Sequence, residues 1–119
     1  MRRREPSTIG TLVFVMWGLI VWGLQFTAIY LGHTWFCALG AAPGATTALA
    51  AILTAAATVA MLPVAWAPSR PAALVGLDGP DDDPRHLLLI ARVVALLSIV
   101  AALWTGATAI AVGACELAR

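Results

Sequence analysis

Between residues 25 and 37 the sequence QFTAIYLGHTWFC puts an amide, a phenol, an imidazole and a thiol into a stretch whose neighbours are almost wholly apolar. At roughly 100° per residue in an α-helix, Trp22, Phe26, Tyr30, His33 and Cys37 project within about 80° of one another, with Gln25 just beside them. An imidazole and a thiol are candidate ligands for haem or copper, and a phenol and an amide are hydrogen-bonding groups. In hydrocarbon an unpaired polar group of this kind costs several kcal/mol. Trp22, Gln25, Phe26, Tyr30 and His33 are therefore expected to form a contact face toward a neighbouring helix, a cofactor or a partner protein.

His33 is the only imidazole in its segment, whereas haem normally takes a second axial ligand and structural metals several. The other histidine, His86, opens a later apolar run and is expected at the opposite membrane surface, so the two cannot grip one metal within the chain. A hydrogen bond into a partner or a headgroup is the preferred reading of His33. A proton or quinone role and a ligand role are the alternatives. No apolar run contains a carboxylate, and no Ser/His/Asp set, phosphate loop or clustered ligand motif is present. No catalytic, cofactor or metal-binding residue is assigned, and the chain is not expected to be an enzyme by itself. Proton- or ion-coupled transporters usually hide an acidic residue or a broken helix at mid-membrane, and neither is visible in the sequence.

The segments that hold these residues are set by hydropathy. Of 119 residues 61% are hydrophobic and 11% charged, with a mean hydropathy of +0.92, against about 25% charged in an ordinary soluble domain. An all-α integral membrane protein follows, with three transmembrane helices at about residues 9–36, 45–66 and 87–114 in a single membrane domain. CALGAAPG is a tight Gly/Pro turn between the first two, and residues 67–86 form a Pro-rich polar connector. A net charge of +1 with scattered basic residues excludes a nucleic-acid partner. The amino-terminal MRRREPST resembles a secretory signal, yet the apolar run behind it is about twice the length of a signal core, so an uncleaved first span is expected.

Arg2, Arg3 and Arg4 precede the first span, and Arg70 and Arg85 lie in the connector. The positive-inside rule puts both regions in the cytoplasm and the carboxyl terminus outside. Cys37 and Cys115 then end the first and third spans at the same outer surface, in an oxidising compartment if the membrane is a bacterial inner membrane. A disulfide between them is the first reading. Two separately packed thiols and a metal or haem thiolate are the alternatives.

The second span is nearly all Ala and Thr, and Ala50, Thr54 and Thr58 recur every four residues, which admits a closely packed helix. Trp35 and Trp66 are expected in the interfacial aromatic belt, and Trp17, Trp22 and Trp104 as fillers inside a bundle or against a partner. Arg92 is close enough to the inner end of the third span to snorkel outward. Asp81, Asp82 and Asp83 read as a solvated turn, since calcium-loop spacing is lacking.

WGLIVWGLQFTAIYLGHTWFC, RHLLLIARVVALLSIVAALW and the late Cys115 together resemble a family of small three-helix proteins encoded beside bacterial haem-copper terminal oxidases. Trp22, Phe26, Tyr30, Cys37, Ser98, Trp104 and Cys115 match the family pattern. Gln25 stands where that pattern has His, which puts a metal or proton role at this position in question while a hydrogen-bonding role survives. The resemblance covers the first and third spans only. It implies a non-catalytic accessory subunit of a cytochrome oxidase in the respiratory chain of the bacterial inner membrane. The implied partners are the oxidase core subunits, which would hold the haem and copper, and membrane lipid. An oxidase assembly factor is one alternative, and a small homo-oligomeric transporter, read from the Ala/Thr helix and the polar stripe, is another.

Overall fold

The computed structural model describes residues 8–68, 70–71 and 85–112. Its elements are α1 (Thr8–Val15), α2 (Trp17–Leu39), α3 (Pro43–Trp66) and α4 (Arg85–Ala111), with no strand among the described residues. Two helices, α3 and α4, are each long and apolar enough to cross a membrane, and α1 with α2 makes a third candidate span if the bent pair counts as one. Such lengths and compositions are compatible with a multi-pass membrane protein.

The turn between α2 and α3 is built as its residues dictate. Gly40 adopts φ 64°, a left-handed conformation open to glycine at little cost. Its N–H bonds the Cys37 carbonyl at 3.3 Å while the Ala41 N–H reaches back to Phe36 at 3.0 Å, the double closure of a Schellman motif. Ala42 is then extended, at φ −58° and ψ 142°, as a residue before proline must be, and Pro43 takes the first turn of α3, where its missing N–H goes unneeded.

The first span departs from the sequence expectation of one continuous helix. It breaks at Met16, and α1 leaves the α2 axis by 63°. Backbone bonds persist across the bend, from Met16 N–H to Leu12 at 2.9 Å and from Ile20 N–H to Met16 at 3.0 Å. Tertiary packing on each side holds the angle. Phe14 of α1 is buried with Val64 and Ala65 of α3 and Ala91 and Ala95 of α4, while the Trp17 indole N–H, just past the break, donates to the Ala60 carbonyl at 2.9 Å. The break leaves α2 with 23 residues, about 35 Å at 1.5 Å each.

Pairings along the helices fix their directions. Gly18 meets Ser98 and Gln25 meets Ala102, so α2 and α4 run parallel; Trp17 meets Ala60 and Gln25 meets Thr54, so α3 is antiparallel to α2. The α4 side of the core is made of small side chains. On α4 the buried residues are Ala91, Ala95, Ser98, Ala102 and Gly106, one small residue per turn facing the other helices. On α3, Ala50, Ala57 and Met61 are buried and Thr54 half-buried along the expected stripe. Small residues on both sides bring backbones close enough for dispersion and short hydrogen bonds to act, the usual basis of helix association in lipid. A methyl group added at Gly106 would collide with the Thr54 side chain, and one at Gly18 would sit 2.7 Å from Ser98 Oγ and 3.0 Å from the Ala95 Cα.

α4 begins at Arg85, so Arg85 and His86 belong to the helix. Of the expected connector, residues 69 and 72–84 lie outside the described residues, with Asp81, Asp82 and Asp83 among them; so do Arg2, Arg3, Arg4 and Cys115.

Candidate functional site

The buried line of α2 is Gly18, Gln25 and Ile29. At roughly 100° per residue the stripe of Trp22, Phe26, Tyr30, His33 and Cys37 is centred about 80° around the helix from that line. One edge of the stripe therefore enters the bundle and the other leaves it. Gln25 and Trp22 are used internally, Phe26 and Tyr30 face outward, and His33 lies at the boundary.

Gln25 is the polar centre of the interior, 3% exposed. Its Nε2 donates to Thr54 Oγ1 at 3.0 Å and to the Ala102 carbonyl at 3.2 Å, spending both amide protons on the two other long helices. Thr54 Oγ1 in turn donates to the Ala50 carbonyl at 2.7 Å, which leaves its lone pairs free to accept from Gln25. One turn earlier, Trp22 Nε1 donates to Thr105 Oγ1 at 3.2 Å, and the ring packs against the cluster of Ala57, Met61 and Ala102. Trp22 also lies against Phe26, with ring centroids 6.0 Å apart and planes tilted by 36°. Gln25 Oε1 and Ser98 Oγ are buried without a hydrogen-bond partner among the described residues.

His33 Nε2 is likewise buried and unpartnered among the described residues. Parallel α2 and α4 set His33, in the second half of α2, at the opposite end of the bundle from His86 in the first turn of α4. Among the described residues no group of three or more His, Cys, Asp or Glu lies together, and none of these residues is an Asp or Glu at all. Cys37 stands in the last turn of α2, and no described cysteine is free.

Tyr30 is 67% exposed, and Phe26 about half exposed. Trp104, expected inside the bundle or against a partner, projects from the far side of α4 at 74% exposure and so is not inside the bundle, and Trp35 and Trp66 are exposed near helix ends. The sequence reading missed the packing roles of Gly18, Ser98 and Gly106, where side chains of neighbouring helices press on glycine, and the role of Thr54 as acceptor for Gln25. A small-residue spacing on α4 like the one recognised on α3 would have found two of these, Ser98 and Gly106.

Fold and site together define a helical bundle with two or three helices able to cross a membrane, internally zipped by one amide and two indoles. No family model, curated protein or solved structure matches the chain.

Proposed function

We propose that this chain is a non-catalytic accessory subunit of a bacterial haem-copper terminal oxidase, lying in the inner membrane and stabilising the core subunits that carry haem and copper. The observation that supports this reading is how the residues of the family resemblance divide. Trp22 and Ser98 are taken up within the bundle, whereas Phe26, Tyr30 and Trp104 stand outside it. Outward aromatics on a small helical bundle are the kind of anchors that membrane and subunit interfaces use. Gln25, in place of the family's His, keeps a hydrogen-bonding role toward Thr54 and Ala102.

The reading includes a cytoplasmic amino terminus, an outer carboxyl terminus and a Cys37–Cys115 disulfide at the outer surface. That pairing would take up both cysteines of the chain. It would tie the last turn of α2 to the segment after α4, whose parallel course brings their ends to one side.

The test is capture of the tagged full-length chain in mild detergent, with mass spectrometry of co-purifying proteins and a reduced-minus-oxidised haem spectrum. Oxidase core subunits in a fixed ratio with haem are expected. Their presence only during biogenesis would make the chain an assembly factor. Recovery of a haem-free homo-oligomer that moves solute in liposomes would replace the proposal with the transporter reading.

A further inference from the structure

The outward side of α4 carries a repeat that the bundle itself does not use. Leu89, Leu96, Leu103 and Ile110 recur every seven residues, and Val93, Val100 and Ala107 fall four residues after each of the first three. Every one of them is exposed. At roughly 100° per residue this seam lies about 130° around α4 from the buried line that runs from Ala91 to Gly106. A second helix can follow it for three heptads without displacing α2 or α3.

The residue types narrow what that helix is. In heptad terms leucine stands at d and valine at a, the combination that favours two parallel strands, because each knob fits the hole offered by the same position opposite. Moving the seam one residue toward the carboxyl terminus would bring in half-buried Val94 and Ala101 and the Trp104 indole. Moving it one residue back would bring in Arg92 with buried Ala95 and Ala102. An a/d seam is also self-complementary, since each position meets its own counterpart across a two-fold axis. Two copies of one chain in one membrane share a topology. That axis therefore runs along the membrane normal and makes the two α4 helices parallel, as valine at a and leucine at d require. Arg85 and Arg92 fall at g, on opposite flanks of such a pair and outside its seam. Lipid covers apolar side chains as well as protein does, so the attraction must come from fit, and a left-handed crossing of about +20° keeps a seven-residue repeat in contact along its length.

We infer that this face of α4 binds α4 of a second copy of the chain, forming a parallel, left-handed homodimer. The inference stands on α4 alone and holds with or without a host complex. Phe26 and Tyr30 lie on α2, away from the seam.

Förster transfer tests it, between full-length chains carrying a donor or an acceptor at the carboxyl terminus, in phosphatidylcholine liposomes at falling protein-to-lipid ratios. Wild-type chains are expected to associate, with transfer proportional to the acceptor fraction as for a dimer. Leu96→Ala, Val100→Ala and Leu103→Ala together are expected to raise the protein fraction at half association at least about ten-fold, since the lost packing falls on both copies. Leu96→Ile with Leu103→Ile keeps the apolar bulk but puts β-branched side chains at d, and is expected to move the transfer away from two-fold behaviour. It also keeps the comparison readable should the alanine variant fail to fold. Val59→Ala with Leu62→Ala, on the exposed side of α3, is expected to leave association unchanged. Four results would each overturn the assignment. They are wild-type chains that stay monomeric or assemble beyond two, an alanine variant that associates like wild type, two-fold transfer retained by the isoleucine variant, and an equal loss in the α3 variant.

Discussion

Gln25 and Thr54 are joined across α2 and α3 by a 3.0 Å hydrogen bond, and the second proton of the same amide is given to Ala102 of α4. A single side chain thus touches all three long helices at one level of the bundle. Its geometric value exceeds its energetic one: interhelical hydrogen bonds in membranes contribute about 0.6 kcal/mol on average and rarely above about 1.7. What it fixes is register. Sliding α2 by one turn against α3 would strand the amide in apolar surroundings at a cost of several kcal/mol.

Replacing Gln25 separates these contributions. Gln25→Leu removes both bonds but also the unpartnered Oε1, so a loss of about 0.5–2 kcal/mol is expected. Gln25→Glu puts an acid where the side chain is 3% exposed and turns a double donor into an acceptor facing a carbonyl; it should cost several kcal/mol. Unfolding of the purified chain in mixed micelles with rising dodecyl sulfate, followed by circular dichroism, gives the order. Equal effects, or a milder Glu variant, would show that Gln25 is not enclosed.

Gly106 of α4 lies directly against the Thr54 side chain of α3. Gly106→Ala forces its methyl into Thr54 and is expected to cost about 1–3 kcal/mol. Thr54→Ala loses the Gln25 bond yet opens room, so the double variant should be more stable than the sum of the two losses by at least about 0.5 kcal/mol. Additive losses in the same micelle titration would place the two residues out of contact.

Much of this arrangement can be read from residue types. Long apolar runs specify the helices, Gly40 and Pro43 the first turn, and the Ala50–Thr54 spacing the close-packed side of α3. The break at Met16 is not legible, because no proline or glycine pair occurs there and the angle is held by Phe14 and Trp17 docking onto other helices. The polar stripe of α2 is legible as a face but not as two half-faces. Its division depends on which side of Gln25 the small residues of α4 occupy, and Gly18 against Ser98 decides that. Trp104 follows the same logic: large size argues for a place inside a bundle or against a partner, and an interior lined by Ala95, Ala102 and Gly106 leaves the first of these no room.

The cysteine proposal makes a labelling prediction. With thiol-reactive polyethylene glycol, the detergent-solubilised chain is expected to stay unmodified without reductant and to gain two adducts after reduction. In intact cells grown with reductant, both adducts should form with a membrane-impermeant reagent from the periplasmic side. Two adducts without reductant would remove the disulfide, and labelling only from the cytoplasm would invert the topology.

Tyr30 and Trp104 give the sharpest separation between a self-sufficient bundle and a subunit. Both side chains are mostly exposed and neither lies among the buried residues that join the helices. Truncation of either to Ala should therefore shift the micelle unfolding midpoint little, by less than about 0.5 kcal/mol, as for substitutions outside packed features. If a partner covers them, each is an aromatic anchor whose loss costs about 1–4 kcal/mol of association, and the double variant should release the chain from the captured complex while its own fold persists. Trp22→Ala is the counterpart, since it removes the bond to Thr105 and packing on Met61 and should lower the stability of the isolated chain first. A Tyr30→Ala, Trp104→Ala chain that co-purifies with its partners as wild type does would move the interface to another face. Loss of fold in that variant would mean that these rings serve the bundle itself.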